Sequence, residues 1–120
     1  MKTKPLAITL AALCAPHGWP AEPSTGEEID YLIGRVAASG AHFIRNGSEY
    51  TGAQAASHLR MKLAKAGGRV HTAEEFIDGI ASKSSLTGRP YELHLADGRT
   101  MRAAEWLSAE LAHHRAAEQR

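Results

Sequence analysis

At 120 residues, 43% of them apolar and 22% charged, the chain has room for one domain near the lower end of the sizes that bury a self-sufficient core. Fourteen Lys and Arg stand against thirteen Asp and Glu, and since Lys2 and Lys4 fall in the leader read below, the remainder carries 12 basic against 13 acidic groups. Such near-neutral, interspersed charge argues against a nucleic-acid or anionic-membrane binder, and no later apolar stretch is long enough for a membrane helix.

The first residues read as a secretory signal. Lys2 and Lys4 give a positive start, and residues 6–15 form an apolar run too short to span a bilayer. A cut near Ala21 is expected, which makes residues 1–21 a signal peptide and 22–120 a single α-rich domain destined for the periplasm or secretion. The single cysteine, Cys14, leaves with the leader, so neither a disulfide nor thiol catalysis is available to the domain. Leu13 stands where a lipid-attachment box wants a small residue, which argues against a lipid anchor. Residues 16–23 hold three prolines and a glycine and read as the junction between leader and domain.

Helix one is predicted to start with a capping box in which Thr25 faces Glu28 three places on. Ile29, Leu32, Ile33 and Val36 share one apolar stripe, and Ser39-Gly40 ends the helix. Phe43-Ile44-Arg45, Asn46-Gly47 and Ser48-Glu49-Tyr50 read as a tight hairpin with short strands, because Asn-Gly suits type I′ geometry. Thr51 and Gln54 form a second box, ahead of a stripe of Ala55, Ala56, Leu59, Leu63 and Ala66 that stops at Gly67-Gly68. Thr72 and Glu75 form a third, with Phe76, Ile77 and Ile80 on one face.

Residues 82–90 read as a loop, since their hydroxyls favour local backbone bonding and Pro90 biases Arg89 away from helical angles. Tyr91, Leu93 and Leu95 alternate with Glu92 and His94 as in a half-buried strand, which ends at the Asp97-Gly98 turn. Thr100 is expected to cap a last helix with Ala104, Leu107 and Leu111 on one stripe and Trp106 at its edge; from His113 the apolar pattern fades and the tail is expected to fray. The expected fold class is therefore mainly α: a small bundle of about four helices with a minor β-hairpin or short strands.

No catalytic constellation stands out. Ser84 or Ser85 with His58 as base and Asp78 as orienter would serve a small hydrolase, but there is no Gly-x-Ser-x-Gly elbow and no evident oxyanion hole. Six of the seven histidines lie beyond the leader, yet His113 and His114 are adjacent, and His42, His58, His71 and His94 are isolated in sequence. No metal or cofactor is expected from that spacing. Glu74, Glu75 and Asp78 are explained by the start of helix three and its dipole, while Asp30, Glu49 and Glu105 are single.

What remains is a set of polar residues in excess of core needs: Arg45, Asn46, Tyr50, His58, Lys62, Arg89 and Tyr91. His58 and Lys62 lie four apart and share a face of helix two, from which Arg60 points away. If the hairpin turn and the 82–90 loop meet near that helix, Arg45 and Arg89 are placed to offer guanidinium forks to a carboxylate. The competing reading is an internal network, with Arg45 or Arg60 pairing Glu49, Glu75 or Asp78.

The succession Phe43 to Tyr50, His58-Leu59-Arg60-Met61-Lys62-Leu63, Thr72-Ala73-Glu74-Glu75-Phe76-Ile77 and Ser82 to Tyr91 resembles the YfeK-like family of small exported bacterial proteins, a domain of unknown function. Tyr31-Leu32-Ile33 and Glu105-Trp106-Leu107 extend the likeness over most of the domain. The resemblance implies export, no stated activity, and relatives that often carry cysteines in the neighbourhoods of Ala41 and Leu95, so any staple they form is missing here. The expected function is a non-enzymatic envelope accessory or binding module, with an envelope protein or a small polar ligand as partner; a small periplasmic Ser/His hydrolase is the alternative.

Overall fold

The computed structural model describes residues 24–119, so the expected leader at 1–21 lies outside it. Four helical segments and a four-stranded antiparallel sheet follow in the order α1 (Thr25–Ala38), β1 (His42–Arg45), β2 (Ser48–Thr51), α2 (Gly52–Ala66), α3 (Ala73–Phe76), β3 (Glu92–His94), β4 (Thr100–Arg102) and α4 (Ala103–Glu118). A 3-10 turn, Gly67–Arg69, follows α2, and α3 runs on into a π-helical turn, Ile77–Ala81.

The start of α1 differs from expectation by one residue. Ser24, not Thr25, is the cap, and it exchanges bonds with Glu27. Thr25 donates instead to the His71 carbonyl at 3.0 Å, and Glu28 is turned inward on the core stripe, where it meets Arg115. The Thr51–Gln54 box forms as expected. At α3 the Thr72 hydroxyl accepts from Glu75 N, but the Glu75 carboxylate reaches back to His71 N at 2.6 Å.

The Asn46-Gly47 turn has both central residues at positive φ, 52° and 81°, as a type I′ turn requires. It sets the β1–β2 register of Phe43 opposite Tyr50 and Arg45 opposite Ser48. The sheet is larger than expected. β1 also pairs with β3, Phe43 opposite Leu93, and β3 with β4, giving the order β2-β1-β3-β4. Thr100 is therefore a strand residue opposite His94 and not a helix cap; α4 begins after Arg102, which makes no capping bond.

The core joins Leu32, Ile33 and Val36 of α1, Leu59 of α2, Phe76 of α3 and Ile77 of the π turn to Leu93 of β3 and Leu107 of α4, all 5% exposed or less. Close approach of α1 and α2 demands a glycine at position 52: a Cβ there would lie 2.5 Å from the Val36 carbonyl oxygen. The tail does not fray at His113. The apolar stripe ends there, but α4 continues to Glu118 because polar contacts replace it: His114 stacks on Tyr31 with ring centres 4.0 Å apart, and Arg115 bonds Glu28 and Glu74.

Candidate functional site

The hairpin and α2 enclose one side of a cleft of about 320 Å³, closed behind by the end of the π turn, Tyr91 just before β3, and α4. Its floor is apolar, made by Phe43, Ala55, Leu59, Ala81, Ala103 and Leu107. Trp106 meets the Phe43 ring edge-on, centroids 6.5 Å apart, which fixes that part of the floor from outside. The polar wall is Arg45, Tyr50, Gln54, Ser57, His58 and Tyr91.

Four of the seven residues singled out from sequence thus line the cleft: Arg45, Tyr50, His58 and Tyr91. Lys62 stands behind them. Its ammonium donates to the Ile80 carbonyl at 2.7 Å, the Lys83 carbonyl at 3.0 Å and the Tyr91 hydroxyl at 3.0 Å, which uses all three of its protons. Ile80 lies in the last turn of this helical segment, where carbonyls lack an intrahelical partner, and the lysine fills that place. Lys62 is therefore a tie between α2, the π turn and the approach to β3.

Asn46 and Arg89 lie outside the cleft. The hairpin turn and the 82–90 loop do meet, as the sequence reading required, but through Asn46: its amide donates to the Ser84 hydroxyl at 3.1 Å and accepts from Thr87 at 2.6 Å. Arg89 is exposed beside Gly47. Among the described residues, neither Arg45 nor Arg60 pairs with Glu49, Glu75 or Asp78. Arg45 donates to the Tyr50 hydroxyl at 3.0 Å, Arg60 lies 3.7 Å from Asp30, and strand alternation puts Glu49 on the other face, with His42 and His94.

Electrostatics follow from this arrangement. Lys62 has no acceptor, so the Tyr91 oxygen must accept from it, and the Tyr91 proton is free for His58 Nε2 at 3.3 Å. Donated in that direction, the bond ends on an unprotonated Nε2. Burial first, then the charges of Arg45, Lys62 and Lys65, hold His58 below the usual histidine range. Burial also lowers Lys62, helped by Arg45, and raises the Tyr91 phenol, with Arg45 opposing. No carboxylate lines the cleft among the described residues.

The hydrolase constellation does not assemble. The buried Ser84 hydroxyl accepts from Asn46 and from the amides of Leu86 and Thr87, Ser85 and Asp78 are exposed, and His58 bonds Tyr91. These contacts are the ones that shape a turn. Sequence reasoning missed Gln54 and Ser57, although Gln54 precedes His58 by four and so marks the same face of α2. It also missed the floor residue Ala103, whose place depends on where β4 hands over to α4.

Three comparisons bear on what the chain is. The sequence pattern of the family described as "Family of unknown function (DUF5329)" matches residues 23–115. The uncharacterized protein YfeK of Salmonella typhimurium strain LT2 is 53% identical over 49 residues, a stretch that covers 41% of this chain and 41% of that protein. No solved structure matches. The family match takes in all of α1 to α3, the whole sheet and most of α4, including every cleft residue, and on that extent the chain belongs to the DUF5329 family of unknown function, with YfeK as a relative.

Proposed function

We propose that the chain is an exported, non-enzymatic binding module of the periplasm that holds a small ligand with an apolar body in the cleft between the hairpin and α2. The supporting observation is the cleft itself: an apolar floor and a short row of polar groups on one wall, at the small end of the roughly 300–1,000 Å³ typical of ligand sites. The wall residues offer donors and acceptors for orientation, and the serines of the 82–90 loop are occupied in holding that loop. Export rests on the charged start and apolar run of residues 1–21.

Amide chemical shifts recorded while small amphipathic compounds are titrated in test this reading. Perturbations concentrated at Ala55, Ser57, His58 and Ala103 are expected. Shifts clustering at the Glu74, Ser108 and Arg115 surface, or nowhere, would refute it. Mass spectrometry of the protein from a periplasmic fraction checks export, with an amino terminus near residue 22 expected and a retained Met1 counting against it.

A further inference from the structure

Resting on that reading, we infer that the cleft ligand carries a carboxylate on its apolar body, and that Arg45 is the residue that pairs with it. The guanidinium lies in the polar wall, over the Tyr50 ring with its central carbon 4.8 Å from the ring centre, and gives one bond, from Nη2, to the Tyr50 hydroxyl, which leaves its other N–H edges open. A guanidinium has five N–H donors, and among the described residues Arg45 has no carboxylate partner. Arg35 has Glu110, Arg60 has Asp30, Arg99 has Asp97, and Arg115 has Glu28 and Glu74; of the arginines without an acid partner among the described residues, Arg45 is the one that lines the cleft.

Charge count in the wall sets the class of anion. Lys62 has spent its protons on two carbonyls and Tyr91, and His58 is held neutral by its surroundings, so Arg45 alone offers a free cationic fork. One planar fork suits one planar monoanion, whereas a phosphate dianion would need further donors. The apolar remainder of the ligand lies along Phe43, Ala55, Leu59 and Leu107. A free acid and a peptide C-terminus share this chemistry.

Calorimetric titration of the purified protein with phenylbutyrate and with its uncharged amide, phenylbutyramide, decides the matter. The acid is expected to bind about tenfold or more tightly than the amide, as a charge-assisted pair implies. Arg45→Gln is expected to bring the acid-to-amide ratio down to about one, with Arg45→Lys in between. Equal binding of acid and amide by the unmodified protein would overturn the carboxylate assignment and leave the binding reading standing. No binding of either would remove both. The acid-to-amide ratio needs no variant, so it decides even if an Arg45 substitution disturbs folding. An acetyl-capped tripeptide ending in leucine, compared with its amidated form, separates the sources: a larger ratio there assigns the carboxylate to a peptide terminus, and a smaller one to a free acid.

Discussion

Arg115 and Arg45 sit at two ends of a contrast. Arg115 bridges two helices, bonding Glu28 at 2.8 and 2.9 Å and Glu74 at 2.6 and 3.2 Å, and all three groups have their ionised forms favoured by the contact. Arg45 has the ring and hydroxyl of one tyrosine, Tyr50, and no acid among the described residues. In one region charge is neutralised within the protein and acts as scaffold; in the other it is left open beside an apolar cleft. Residue type does not separate a structural cation from a recognition cation, but the account of its partners does.

The contrast can be broken most severely at Arg115. Arg115→Ala strands the buried Glu28 carboxylate, which is expected to cost about 2–3 kcal/mol in denaturant melts and to leave ligand affinity at the cleft unchanged. The same network predicts acid sensitivity. Glu28 and Glu74 are both held below their ordinary range, so they contribute stability that is complete above about pH 4.5 and is lost as pH falls through their lowered folded values. A melt series in which Arg115→Ala shows the same acid slope as the unmodified chain would remove this explanation.

Lys62→Met sharpens the comparison from the other side. It leaves two carbonyls and the Tyr91 hydroxyl without the lysine donor, for an expected loss of about 2 kcal/mol, and leaves Tyr91 with His58 alone. Arg45→Gln, by contrast, is expected to cost about 1 kcal/mol or less, because a partly buried cation held only by the Tyr50 ring and hydroxyl, with no acid partner, contributes little to folding. If Arg45→Gln proved as destabilising as Lys62→Met, the two would be the same kind of residue and the contrast would be lost.

The smallest effect is at His58. Its folded value lies below the ordinary one near 6.5, so the unfolded chain binds the proton more readily and stability falls as pH drops through that window. His58→Gln is expected to flatten the dependence between neutral pH and the acid transition of Glu28 and Glu74. An unchanged slope would show that His58 is not held neutral.

Helix starts and the hairpin were legible in sequence because their causes are local. Thr51-Gln54, Thr72 and Asn46-Gly47 each act within about four residues, and the stripes Ile29 to Val36 and Ala56 to Leu59 follow from helical period alone. Even the Ser24 cap was displaced from the expected Thr25 by only one position, since adjacent hydroxyls and adjacent glutamates offer two overlapping boxes. Arg45, Tyr50, His58 and Tyr91, singled out as polar groups in excess of core needs, are the four of that set that line the cleft, although Tyr91 is also buried in the core.

By itself, then, the sequence determined the helical faces, the tight turn and the excess of polar groups in the middle of the chain. Only the tertiary structure decided that Thr100 would pair with His94 in a fourth strand, that Glu28 would meet Arg115 across 87 positions, and that Lys62 would be consumed by carbonyls while Arg45 stayed open. The physical reason is range. Caps and periods are set by neighbours along the backbone, whereas the partner of a charge or the neighbour of a three-residue strand depends on how distant segments dock, and that depends on the packing of the whole core.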